Sequence, residues 1–292
     1  MNWTKVKNIL IFLFLILNIV LGIYYYVNQY QTYTLSTERI QQIQQVLQKQ
    51  KIKMDTKMVT TFYPMPKLKI ELARYEDQDL LKGIFHNQKM IPSIESEGRK
   101  YVKNGEELWI SRQGEDMVSD IIYKNPQGRG ELESFSEDKV KKLGDQFVKD
   151  LKGKEGTFRL DQKEKVEDGY HLEYREVYKG WILFNSMVEI EMTEKGIVQG
   201  RLLRYVPMGF QGEKKEIYGP DEILLNFVYF IREKYPFGKI SIVGMDLGYD
   251  TGAKDDYQDL SGIAVPYYRI LLDTGEVYYI NGYKNEIKQE IE

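Results

Sequence analysis

The apolar positions divide this chain into two unequal parts. Residues 9–27 read ILIFLFLILNIVLGIYYYV, nineteen residues with one polar side chain (Asn18) and no charge. As a helix the run spans roughly 28 Å at ~1.5 Å per residue, close to the ~30 Å hydrocarbon core of a bilayer. Beyond it, apolar residues recur with the periods of ordinary helices and strands. From Ser36 to about Gln50 the pattern is helical, with Ile40, Ile43 and Leu47 on one face and Ser36 placed to cap. Strand-like runs follow at 53–64 and 67–75, and a short helix is predicted over 77–85. Residues 105–113 and 117–125 alternate as an antiparallel pair. The turn-rich NPQGRGE (125–131) reads as a break between domains.

The second half is more regular. Ser134 with Glu137 matches a capping box that opens a helix through Leu151, striped by Val140, Leu143, Phe147 and Leu151. Strands are predicted at 157–166, 170–180, 182–193 and 197–207, separated by turns at 168–169, 179–180 and 194–196. A helix within 219–238 opens on Pro220, Asp221 and Glu222 and is closed by Pro236. Its apolar stretch, Ile223 to Ile231, is about nine residues against the roughly 17 needed to span a membrane. It is therefore expected to be buried against sheets on nearly all sides. Strands at 239–250, 265–273 and 276–282 complete the pattern, with Thr274-Gly275 as a hairpin turn.

The expected fold class is α+β: an N-terminal transmembrane helix, then an extracytoplasmic region of curved antiparallel sheets, each packed with a helix. The expected divisions are a cytoplasmic N-terminus (1–8), an anchor (9–27), a connector (28–35), a first α+β domain (36–128), a second (129–285) and a polar tail (286–292). Lys5 and Lys7 precede the apolar run, and no basic residue follows it until Arg39. By the positive-inside rule the N-terminus is cytoplasmic and the large C-terminal region lies outside, in a single-pass topology. Trp3 and Tyr24, Tyr25, Tyr26, Tyr30 and Tyr33 suit the two membrane interfaces. The competing reading is a cleaved signal peptide. Its apolar region is usually ~7–15 residues and ends in small residues, whereas YYYVNQYQTY follows here.

Composition narrows the function. There are 41 Lys plus Arg against 44 Asp plus Glu, a net charge of −3, which offers no case for nucleic acid. Cysteine is absent, so the chain has no disulfides, no thiol nucleophile and no cysteine metal site. The two histidines, His86 and His171, lack a partner at i+4 and read as surface or satisfied side chains rather than ligands. No serine-hydrolase elbow or phosphate-binding loop occurs. The acidic stretch 249–262, with Asp250, Asp255, Asp256 and Asp259, is the best place for Ca²⁺, but its spacing does not match an EF-hand and it reads as a solvated loop. No catalytic, cofactor-binding or metal residue is assigned, and no cofactor is expected. A pair of carboxylates for glycoside hydrolysis can come from anywhere in a fold, so a cell-wall hydrolase stays open as an alternative. So does a membrane-tethered envelope module that binds a ligand.

The start of the chain resembles the YycI family of Gram-positive bacteria. The resemblance is carried by Asn2-Trp3, Lys5, Lys7 and the Leu17-Asn18-Ile19 step within the apolar run, with similar patterns at RLLRYVPMGF (201–210) and GPDEILLNFVYFI (219–231). It implies a single-pass membrane regulator, not an enzyme, of the cell-wall-linked WalK/WalR (YycG/YycF) two-component system. Such a protein acts at the sensor histidine kinase together with a YycH-like protein, with much of the contact made by membrane helices. On that basis Asn18 and Gly22, four residues apart on one helix face, are the expected partner contact in the membrane. An intramembrane amide gains from a hydrogen-bonding partner, and glycine permits close approach.

Overall fold

A computed structural model describes residues 3–86, 89–96, 98–113, 117–130, 136–152, 156–252 and 261–289. The helices are α1 (Trp3–Thr32), α2 (Thr37–Lys49), α3 (Asp77–Phe85), α4 (Glu137–Lys152) and α5 (Pro220–Lys234). The first strands are β1 (Ile52–Met54), β2 (Met65–Leu72), β3 (Ser93–Glu95), β4 (Gly98–Lys103), β5 (Glu106–Gln113) and β6 (Met117–Arg129). Then come β7 (Phe158–Val166), β8 (Gly169–Tyr178), β9 (Trp181–Thr193), β10 (Gly196–Leu203) and β11 (Tyr205–Lys215). The last are β12 (Ile240–Asp250), β13 (Ser261–Leu272), β14 (Val277–Asn281) and β15 (Ile287–Gln289). The fold is α+β, as the pattern predicts.

The chain forms two compact units that interleave along the sequence. Unit 1 is residues 1–65, 215–246 and 268–292; unit 2 is 66–214 and 247–267. This division differs from the expected boundary at 128/129. The turn-rich segment there is part of β6: Lys124 pairs with Gln199 and Arg129 with Ile197, so 125–128 bulge out within the strand. Asn125 organises the bulge, its amide donating to the Tyr123 hydroxyl and the Gly128 carbonyl and its oxygen accepting from Gln127 N–H. Turn chemistry here bends a strand rather than ending a domain.

In unit 1, α2 and α5 pack against each other. Ser36 caps α2, its hydroxyl accepting from Arg39 N–H at 3.3 Å, and Ile43 and Leu47 are buried as the stripe predicts. α5 starts on Gly219 and Pro220, with the Glu222 carboxylate accepting the Gly219 N–H at 3.0 Å. It buries Ile223, Leu224, Phe227, Val228 and Ile231. Leu225 and Tyr229 are exposed, so α5 has one buried face rather than burial all round. β1 lies parallel to the start of β12, and β14 pairs with β13 and β15. Little of the predicted 53–64 strand forms. Its later bonds go instead to the segment after α1: Leu35 N–H to the Thr60 carbonyl and Phe62 N–H to the Tyr33 carbonyl, both 2.9 Å.

In unit 2 a mainly antiparallel ladder runs β8-β9-β10-β6-β5-β4-β3, with β7 beyond β8. The end of β12 joins β9 in parallel, at Gly248 opposite Ile182. β2 pairs antiparallel with β13. α4 lies on the ladder, its Val140, Phe147, Val148 and Leu151 joining a core with Leu172, Tyr174, Val188 and Ile190. Close approach is built in: a Cβ on Gly200 would sit 2.3 Å from the Phe147 ring, and one on Gly83 of α3 would sit 2.0 Å from the Asp150 carbonyl oxygen of α4. Ser134 of the predicted capping box lies outside the described residues, whereas Ser136 caps α4 by accepting from Lys139 N–H. The predicted tail at 286–292 contributes β15.

Candidate functional site

α1 is one uninterrupted helix that includes Lys5, Lys7 and the whole apolar run, and it continues through Thr32. Residues 28–32 of the expected connector are therefore helical. The helix is long and apolar enough to cross a membrane, and none of that stretch is buried by the rest of the chain. Leu10, Phe12, Phe14, Leu17 and Leu21 are all more than half exposed, which is tolerable in hydrocarbon and costly in water. The Asn18 amide N–H donates to the Phe14 carbonyl at 2.9 Å, within its own helix. This bond uses one of the two amide hydrogens, and the residue is exposed. A Cβ on Gly22 would meet nothing within 4 Å, so the surface one turn from Asn18 is open.

The end of α1 is tied directly to unit 1. Tyr33 donates its hydroxyl to Glu216 at 2.8 Å and packs its ring edge-on to Phe62, with centroids 6.3 Å apart. Its ring also meets Tyr63 at 5.7 Å. The bond to Glu216 holds the Tyr33 phenol above its ordinary range. Thr34 bridges to Thr61 across a short antiparallel pairing. Three residues later α2 begins, and Arg39 pairs with Asp221 at the start of α5. The segment that follows α1 is therefore held by paired backbone to residues 60–62. Sequence reading placed Tyr33 only as an interfacial aromatic. Glu216 lies 183 residues away and gave no local signal.

Several charged groups of unit 2 are engaged in structure. Arg204 holds Glu176 through two bonds, 3.0 Å from Nε and 2.9 Å from Nη2, with both side chains at most 4% exposed. A Cβ on Gly156 would fall 2.6 Å from that carboxylate and 2.7 Å from the guanidinium, so only a bare backbone fits over the pair. Arg175 pairs with Glu173 at 3.0 Å, and Arg201 with Asp120 at 3.0 Å. Asp77 accepts from Arg99 at 2.8 Å and from the Tyr101 hydroxyl at 2.5 Å. Burial, then that bond to Asp77, pushes the Tyr101 phenol up to about 12.

The histidines stand apart. His86 is exposed at the left-handed C-cap of α3, and His171 sits in β8 opposite Glu164 and Glu191 in register. Among the described residues no group of three His, Asp or Glu side chains gathers as a metal site. Of the acidic stretch, Asp250 accepts from Gly252 N–H at 2.7 Å, a turn bond; Asp255, Asp256 and Asp259 lie outside the described residues.

No protein-family model and no curated protein matches the chain. Among solved structures it is similar to an uncharacterized protein from Eubacterium rectale, with a TM-score of 0.50 and 15% identity over 82% of this chain and 90% of that one. It is also similar to the YpeB C-terminal domain of Bacillus megaterium, with a TM-score of 0.42 and 9% identity over 76% of this chain and 99% of that one. At such identities the likeness concerns the fold alone. What the chain shows by itself is an N-terminal helix fit to cross a membrane, followed by a sheet-rich α+β region.

Proposed function

We propose that this protein is a single-pass membrane regulator, its α+β region outside the cell, that modulates a cell-wall-linked sensor histidine kinase together with a YycH-like partner. The observation that carries the reading is the joint at Tyr33. An exposed apolar helix fixed by paired backbone to a folded outer unit can pass a displacement of that unit into the bilayer. A tether serving only to hold an enzyme near its substrate has no need of such a joint. The sequence resemblance to the YycI family supplies the partner class. Asn18 and Gly22 are then the face offered to a neighbouring membrane helix, and Lys5 and Lys7 hold the N-terminus in the cytoplasm.

Two experiments test this. The chain lacks cysteine, so single cysteines report topology cleanly. In intact cells an impermeant maleimide should label Ile91→Cys and spare Lys5→Cys; the opposite pattern refutes the topology. For the partner face, an interhelical amide contact is worth ~0.6 kcal/mol on average and up to ~2. Asn18→Leu should therefore reduce co-purification of the kinase and the YycH-like protein without impairing insertion. Unchanged co-purification would remove Asn18 from the contact.

A further inference from the structure

The helix that crosses the membrane sets the height of the residues just beyond it. α1 stays helical through Thr32, five residues past Val27. Its apolar run of nineteen residues matches the thickness of the hydrocarbon core, so in a spanning helix Val27 marks the outer boundary of that core. At ~1.5 Å per residue, the Tyr33 backbone then lies about 9 Å above the boundary, and helix tilt brings it lower. The headgroup layer adds ~5–7 Å on each side of the core. Tyr33 therefore stands at the outer rim of the headgroups, with its ring within their reach.

Folding brings a second tyrosine to the same level. Leu35 N–H donates to the Thr60 carbonyl, Phe62 N–H donates to the Tyr33 carbonyl, and Thr34 bridges Thr61 in antiparallel register. In that register the chain from Thr60 to Phe62 runs back toward the end of α1, and Tyr63 comes next. The Tyr63 ring lies 5.7 Å from the Tyr33 ring. All of these residues belong to unit 1. The two tyrosines use their hydroxyls differently. Tyr33 donates to Glu216 at 2.8 Å. Among the described residues the Tyr63 hydroxyl has no hydrogen-bond partner, and Tyr63 is 42% exposed. An apolar ring with a free polar tip suits the boundary between hydrocarbon and water. Glu216, the charged group bonded at this level, is a carboxylate, which anionic lipid would repel. The surface therefore fits zwitterionic headgroups and relies on the ring.

We propose that Tyr63 seats the folded region on the outer leaflet, its ring within the headgroup layer of a zwitterionic phospholipid surface and its hydroxyl bonded to a lipid oxygen. The membrane is then held twice: by α1, and by a segment that reaches the same level only in the folded state. The proposal rests on the membrane-spanning reading of α1 and is separate from the kinase reading.

The test uses the full chain in nanodiscs of phosphatidylcholine. The chain lacks cysteine, so an NBD fluorophore on Thr61→Cys, an exposed position two residues from Tyr63, reports on this site with the tyrosine intact. Lipid spin-labelled at the headgroup should quench this probe more strongly than lipid spin-labelled at mid-chain. The same fluorophore on Ile16→Cys, within α1, should show the reverse order. Tyr63→Asp, with its circular dichroism unchanged, should lose most of the quenching at residue 61, whereas Tyr63→Trp should keep it. Added phosphatidylglycerol should not strengthen it. If the probe at residue 16 is quenched from mid-chain and the probe at residue 61 is not quenched from the headgroups, the proposal falls and the span stands. If the probe at residue 16 escapes mid-chain quenching, the span falls and takes the proposal with it. Undiminished quenching in the Tyr63→Asp chain overturns the proposal. So does quenching that needs anionic lipid and disappears with salt, which marks a basic surface instead.

Discussion

The buried pair Arg204–Glu176 gives the sharpest test of what holds unit 2. Replacing Glu176 by leucine strands a guanidinium that is 4% exposed and has lost two bonds of 2.9 and 3.0 Å. Breaking one side of such a pair costs about 3–5 kcal/mol, because the remaining charge stays out of water. Replacing both partners, Glu176→Leu with Arg204→Met, removes the stranded charge and should return stability to within about 1–2 kcal/mol of the parent, or above it. Trp109 and Trp181 both lie in unit 2, so urea unfolding followed by tryptophan fluorescence in a Trp3→Phe background reports on this unit. With a urea slope near ~2 kcal/mol per molar, the single variant should lower the midpoint by about 1.5–2.5 M and the double variant by less than about 1 M. A double variant as unstable as the single one would refute the stranded-charge argument. It would point to lost shape complementarity under Gly156 instead.

Two further outcomes follow from named contacts. Gly83→Val places a Cβ 2.0 Å from the Asp150 carbonyl oxygen; it should cost unit 2 about 1–3 kcal/mol or more in the same urea assay, while Gly22→Ala, with nothing within 4 Å, should cost nothing. Glu276 is subject to burial, which raises its pKa, but bonds from Lys234 and Tyr235 outweigh this and bring it below its ordinary 4.5. The unfolded chain then binds the proton more readily, so this contribution is present above about 4.5 and is lost as pH falls through the lower folded value. Glu276→Gln should flatten the acid limb of a thermal-stability profile, and an unchanged limb would rule the pair out as its cause.

Local signals were legible where local physics decides. The spacing of Leu80, Leu81 and Ile84 behind Asp77 and Asp79 marked α3 at its observed ends. Lys179-Gly180 and Thr274-Gly275 marked hairpins because positive φ at Gly180 and Gly275 favours glycine. Pairings set by distant partners were not legible. β11 is polar and almost wholly exposed along its second half, and it carries Pro207, Gly209 and Gly212; only its place beside β2 makes it a strand. Residues 55–64 have the opposite fate, a strand-like composition with little ladder to join. The candidate anchor could be read from hydropathy alone. Its joint could not, because Tyr33 meets Glu216 and Phe62 only after the chain has returned twice.

The interleaving of the two units has a consequence for how the protein is made. The chain emerges N-terminus first, and α1 and α2 appear with the first fifty residues. Yet unit 1 is completed only by residues 215–246 and 268–292, which follow residues 66–214 of unit 2. Until then Ile43, Leu47 and Ile52 have no α5 or β12 to cover them. Such long-range closure is slow and leaves apolar surface open to chaperones or to aggregation. A chain truncated before α5 should therefore be cleared by proteolysis even if its first helix has already inserted.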